Sequence, residues 1–185
     1  MRRVRGVLFR DYVRMLRAVK HPEMRAQLLA DDVALLDSKI DPEQWYPMET
    51  FERFGNAILT YVCRGELFPV QLWGRYSAQP LIGLYAGLVV PGDPRETLER
   101  FRGLRPSFFT FEALDVTSVL DGAAEVRVAY RMGPTAEEAA SHQTMGFFEG
   151  LLGIAGAKDV SASFRQRSWT GDDATIIALR WRSAR

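Results

Sequence analysis

Apolar positions along this chain change period near its middle. In the first half they recur every three or four residues, which predicts helices with one buried face. Val7 to Val19 carries Leu8, Tyr12, Met15, Leu16 and Val19 at that spacing. Pro22 suits the first turn of a second helix with Met24, Leu28 and Leu29, because an N–H there would lack a partner anyway. Asp32 to Ile40 predicts a short helix, and Pro42 a turn into Trp45-Tyr46-Pro47. The strongest helical run is Met48 to Arg64, with Phe51, Phe54, Ile58, Tyr61 and Val62 on one face and Gly65 as its stop. Pro69 and Pro80 bracket a further helix bearing Leu72, Trp73 and Tyr76. An apolar segment, Leu81 to Val90, follows, and Pro91-Gly92-Asp93-Pro94 closes it. Asp93 can then cap a helix with Pro94 at its first position and Leu98 and Phe101 inward.

The second half alternates instead. Phe108 to Val116 is apolar-rich, and Glu125 to Met132 alternates Val126, Val128 and Tyr130, as strands do. A helix from Thr135 to about Gly153 interrupts them. Thr135-Ala136-Glu137-Glu138 has the spacing of a capping box, and Phe147, Phe148, Leu151 and Leu152 make its end strongly apolar. Two more strands, Val160 to Trp169 and Ala174 to Trp181, flank a Gly171-Asp172-Asp173 hairpin turn. The pattern predicts an α+β fold: an N-terminal helical half followed by an antiparallel sheet in β-β-α-β-β order. At 185 residues a single domain over 1–185 is expected, with a helical part (1–105) and a sheet part (106–185).

Composition narrows the function classes. The chain is 47% hydrophobic and 25% charged with a net charge of +1, so no global field favours nucleic acid. Arg2, Arg3 and Arg5 read as a solvated start. The lone cysteine, Cys63, has no internal disulfide partner and lies in an apolar run; a buried small hydrophobe in a reducing cytoplasm is the simplest reading. No apolar stretch reaches the roughly 20 residues that span a bilayer. Arg10 and Asp11 break the only run that resembles a secretory signal.

Candidate chemistry is sparse. His21 and His142 stand in no metal-ligand spacing, and no nucleophile elbow, phosphate loop or dinucleotide fingerprint occurs. The acidic pairs Asp31-Asp32, Glu137-Glu138 and Asp172-Asp173 are adjacent in sequence, so their carboxylates do not converge on one point. Aromatics are more suggestive. Trp45, Tyr46, Phe51, Phe54, Tyr61, Trp73, Tyr76 and Tyr85 crowd one region and could line an apolar pocket or simply fill a core. Arg75, in an otherwise apolar helix, could pair with a carboxylate or meet an anionic head group. Glu149, between Phe148 and Gly150, needs a partner if buried, and an arginine is the simplest.

The order Trp45-Tyr46-Pro47, Leu72-Trp73-Gly74-Arg75-Tyr76-Ser77-Ala78, Gly146-Phe147-Phe148-Glu149-Gly150, Ala155-Gly156-Ala157 and a Gly171-Asp172 hairpin ending in Trp181 resembles an uncharacterised family of about this length, expanded in myxobacteria. That family is distantly similar to the haem nitric-oxide/oxygen-binding domains, the 4-vinyl reductase domains and the small TRAPP subunits. The resemblance implies helices first, then an antiparallel sheet with an inserted helix. It also implies diverse uses: haem binding, small-molecule sensing, or burial of an acyl chain during assembly. The haem domains carry a proximal histidine on the helix before the first strand, whereas Asp93 to Arg102 has none. They carry Tyr-x-Ser-x-Arg after the second strand, whereas Tyr130 is followed by Arg131-Met132-Gly133-Pro134. By this comparison no cofactor is expected, and haem is set aside. Cysteines that many relatives show around the last hairpin are missing here too, since Arg167-Ser168-Trp169 and Ala174-Thr175-Ile176 flank it.

The leading expectation is a non-enzymatic module that binds a small apolar ligand or senses it, with Tyr61, Trp73, Arg75, Tyr76, Tyr85 and Phe148 at the site. The alternative is a protein-interaction or scaffolding module: a ligand-free homodimer with a filled core and an exposed apolar patch. A third is an enzyme whose cleft holds Arg75, His142 or Glu149. None of these readings involves nucleic acid or a membrane span.

Overall fold

A computed structural model describes residues 1–19 and 21–182. The helical half holds α1 (Gly6–Ala18), α2 (Pro22–Ala26), α3 (Ala30–Asp37), α4 (Met48–Ala57), α5 (Leu67–Leu84) and α6 (Pro94–Leu104). A π-helical turn, Ile58–Val62, prolongs α4. Two short strands, β1 (Arg3–Arg5) and β2 (Trp45–Pro47), pair antiparallel. The second half holds β3 (Leu114–Leu120), β4 (Ala123–Val128), α7 (Pro134–Ile154), β5 (Lys158–Gln166) and β6 (Thr175–Arg182). These strands form one antiparallel sheet of order β3-β4-β6-β5. The α+β architecture and its β-β-α-β-β order are therefore as the pattern predicts.

Side-chain alternation fixes the register. Val126 faces Ile177 and Ala124 faces Leu179 across β4 and β6, and all four are buried. A one-residue slip would turn this set to the other face of the sheet. The helices meet the sheet over a core that includes Phe9, Phe54, Phe101, Phe108 and Phe148, each fully buried. The α6 start is as expected: the Asp93 carboxylate accepts from the Glu96 N–H at 2.9 Å, and Leu98 and Phe101 point inward. Farther back, the fully buried Asp32 carboxylate takes a two-pronged bond from Arg53 (2.5 and 2.8 Å), which ties α3 to α4.

Several expectations are corrected. The chain start is no solvated tail: Val4 is wholly buried in β1. Arg5 lies over the Trp45 ring with its Cζ 4.9 Å from the centroid, and Arg2 donates to the Tyr130 carbonyl at 2.9 Å. Pro80 does not end α5, which continues to Leu84. The inward face of α5 is Val70, Gly74, Ala78 and Leu81, while Leu72 and Tyr76 are exposed. The first two sheet strands start at Leu114 and Ala123, not Phe108 and Glu125. No capping box forms at Thr135. Gly133 is the cap residue, and the Glu137 carboxylate accepts instead from the Tyr130 and Met132 N–H groups, each at 2.9 Å.

The backbones of α5 and α7 meet at a glycine-lined crossing. A Cβ added at Gly74 would stand 2.0 Å from the Gln143 carbonyl oxygen. At Gly146 it would stand 1.9 Å from that of Gln71, and at Gly150 2.4 Å from that of Arg75. Only glycine permits this approach. Beside the crossing, Glu149 accepts from Arg75 Nε at 2.8 Å and from Gln71 Nε2 at 3.0 Å. Glu149 thus has the arginine partner that its apolar setting demands.

Candidate functional site

A cavity of about 110 Å³ lies where α1, α5, α6 and α7 converge on the sheet half. Val7, Leu8 and Tyr12 of α1 form one side, and Ser77, Pro80, Leu81 and Leu84 of α5 the next. Phe101 of α6, the Phe108-Phe109 segment and Leu114 of β3 form the floor. Ala140, Gln143, Thr144 and Phe147 of α7, with Tyr130, close the back. The ring positions follow from packing behind the wall: Phe101 sits 5.8 Å from Phe108 and 5.3 Å from Phe147, centroid to centroid. For scale, an engineered apolar cavity of about 150 Å³ takes benzene.

The polar groups of the wall are mostly paired. The Tyr12 hydroxyl donates to Gln143 Oε1. The Tyr130 hydroxyl lies 2.6 Å from Thr144 Oγ1, whose own proton goes to the Ala140 carbonyl at 2.8 Å. Tyr130 is therefore the donor to Thr144. Burial raises both phenols above the ordinary tyrosine value, so both are neutral at physiological pH. At the mouth Asp11 pairs with Arg14 at 2.8 Å, and Arg10 lies beside them. Burial lifts the Asp11 carboxyl above the usual range, and Arg14 and Arg10 pull it back only in part. Tyr12 is also a partition. On its other side is a void of about 10 Å³ lined by Trp73, Phe51, Ala140 and their neighbours.

The residues singled out from sequence are dispersed. Trp73 borders the small void. Tyr85 and Phe148 stand behind the main cavity, Tyr85 edge-on to Phe108 at 5.7 Å and Phe148 edge-on to Phe101 at 5.0 Å. Tyr61 packs by His21, Arg75 is bound to Glu149, and Tyr76 points to solvent, 71% exposed. Sequence reasoning missed Tyr12, Tyr130, Gln143 and Thr144. Tyr12 is legible only as an apolar-face position, Tyr130 as a strand position and as the tyrosine of an incomplete Tyr-x-Ser-x-Arg pattern, and nothing local marks Gln143 and Thr144 as facing a cavity. His142 lies away from the cavity, against Phe164 and Trp169, and burial lowers its pKa. Among the described residues no group of three or more His, Cys, Asp or Glu could hold a metal ion, and no helix is long and apolar enough to cross a membrane.

No family model matches this sequence, and no curated protein does. Solved structures do match, at low identity. An H-NOX protein from S. oneidensis in the Fe(II)NO ligation state superposes with a TM-score of 0.63 at 9% identity, over 97% of this chain and 99% of that one. An H-NOX mutant from T. tengcongensis gives 0.58 at 12% identity, covering 98% of each chain. A structure that probes haem distortion in the H-NOX family gives 0.64 at 11% identity, over 98% of this chain and 95% of that one. These likenesses bear on one expectation directly. The absence of a cofactor, with haem set aside, was argued from a missing histidine and a missing Tyr-x-Ser-x-Arg pattern. That expectation is overturned, because the solved structures that match over nearly the whole chain include haem proteins. At 9–12% identity the comparison establishes the fold: this chain has an H-NOX-like fold, distantly similar to the haem nitric-oxide/oxygen-binding domains.

Proposed function

We propose that this chain is a small-molecule-binding sensor module whose ligand seat is the cavity between the helices and the sheet. The observation that carries this reading is an apolar void of about 110 Å³ with two neutral phenols on its wall and charged groups confined to its mouth. That is the usual make-up of a small-ligand site. A binder is favoured over an enzyme because the polar groups satisfy one another, Tyr12 with Gln143, Tyr130 with Thr144, Asp11 with Arg14. Inside the mouth, neither phenol is left aimed at a substrate.

Haem enters as a candidate occupant through the neighbours named above. The phenol oxygens on the wall are those of Tyr12 and Tyr130, which iron would take as phenolates, whereas burial holds both protonated and bonded to Gln143 and Thr144. Arg10 and Arg14 at the mouth could meet the propionates. No histidine, cysteine or methionine lines the cavity among the described residues. Its present size suits about one aromatic ring, so a porphyrin would require the α1 and α5 walls to part.

The test is to purify the protein from cells supplied with a haem precursor, then record its absorption spectrum and native mass. A retained mass is expected, with a Soret band if the occupant is haem, and Ala140→Leu should abolish it by filling the cavity. An apo mass, combined with no thermal stabilisation by haem or by any ring-sized apolar compound, would sink the reading.

A further inference from the structure

The outer face of α5 has no partner among the described residues. Phe68, Leu72 and Tyr76 follow one another at four-residue steps and are 68%, 37% and 71% exposed. The opposite face is the glycine-lined crossing with α7. Single exposed apolar side chains need no explanation, but a ridge with two aromatics does. We propose that this ridge is a self-association surface: it pairs antiparallel with the same ridge of a second copy of this chain, about a two-fold axis at Leu72.

The charge and area of the ridge favour a second copy as occupant. In an antiparallel two-fold, positions equidistant from the axis face each other, so the contact is self-complementary. Phe68 of each copy then meets Tyr76 of the other, and the two Leu72 side chains meet at the centre. No like charges are opposed. Gln71 and Gln79 flank the ridge, and the nearest cation, Arg75, is held by Glu149 of its own chain at 2.8 Å. The area also fits. A buried aromatic covers roughly 150–250 Å², so the exposed parts of these three side chains offer roughly 300 Å² per copy. Two copies with a polar rim of ordinary proportion reach roughly 1,000 Å² in total, the lower bound for a specific interface. A weak, reversible dimer is therefore the expected product. Its contact does not depend on what fills the cavity, although α5 serves both.

Sedimentation velocity of the full chain from low to high micromolar concentration is the first test. The weight-average coefficient should climb toward the dimer value. Tyr76→Glu should move the midpoint to at least tenfold higher concentration with an unchanged circular-dichroism melt. In a Cys63→Ala background, Leu72→Cys should oxidise to a disulfide dimer. Phe68→Cys alone should not, but it should cross-link when mixed with Tyr76→Cys. A concentration-independent monomer would overturn the proposal, as would association indifferent to Tyr76→Glu. Cross-linking of Tyr76→Cys to itself in place of Leu72→Cys would also overturn it, because it would move the axis.

Discussion

Helices α5 and α7 behave in two opposite ways along their length. At Gly74, Gly146 and Gly150 their backbones touch with no room for a single added carbon. Within two turns of that crossing, Ser77 and Leu81 of α5 and Gln143 and Phe147 of α7 border an open cavity. The void is thus no sign of slack packing, since its back wall hangs from a contact that admits no added carbon. The difference shows how a chain keeps a hole open. Backbone contact fixes the helices, and aromatic rings anchored in neighbouring packing do not collapse inward.

The largest expected effect comes from breaking the tight side. Gly146→Ala gains up to about 1 kcal/mol of helix propensity, yet its Cβ would meet the Gln71 carbonyl. The clash should win by about 3 kcal/mol, a fall of roughly 10 °C in melting temperature for a chain of this size. Urea denaturation would measure it, and an unchanged midpoint would refute the crossing. Next comes the latch beside it. Glu149→Gln should cost about 1–2 kcal/mol, since the bond is charge-assisted but Arg75 is half exposed. Cavity binding should survive that change if the latch serves structure alone. On the open side, Ala140→Leu should shift stability by less than about 1.5 kcal/mol while removing ligand binding in calorimetry. Equal losses on both counts would mean that the cavity has no slack.

The smallest effect is electrostatic and sits at the mouth. Because burial raises Asp11 above its ordinary value, the folded chain holds this proton more tightly than the unfolded chain does. Stability is therefore greatest below the unfolded carboxyl value and declines as pH rises through the raised folded value. Asp11→Asn should remove that decline, raising the melting temperature at neutral pH by the equivalent of at most about 1 kcal/mol and leaving it unchanged near pH 3. A melting series against pH would show the two curves meeting in acid.

Much of this architecture can be read from the chain, for reasons that differ by element. The α6 start is visible because Asp93 and Pro94 act locally, through one cap and one fixed φ. The turn between the last two strands is visible because Gly171 supplies a φ of 113°, although β5 ends at Gln166 and a 3-10 turn, Ser168–Thr170, stands where the pattern carries the strand on to Trp169. Strand β1 is not, since three residues are too few to show a period and two of them are arginines. The capping of α7 is also hidden. Glu137 is recruited by the incoming turn at Tyr130 and Met132, not by the Thr135 hydroxyl that sequence spacing favours. The cavity is the least legible feature, because its wall draws on α1, α4, α5, α6, α7 and the sheet half. Much of the aromatic cluster nearest in sequence is spent on packing, as in the Phe9–Tyr46 stack at 4.5 Å. The Gly74 and Gly146–Gly150 motifs that carry the family resemblance serve the crossing.

The placement of β1 has a consequence for how the protein folds. Residues 2–5 find their partners far along the chain: Arg5 N–H donates to the Phe108 carbonyl, Thr110 N–H to that of Arg3, and Arg2 to that of Tyr130. The segment therefore stays unpaired until the turn after β4 has come into place. Contacts of such long separation are slow to close, so the clasp over Tyr130 should be among the last steps of folding. Until then the helices are assembled beside a cavity that has no finished wall.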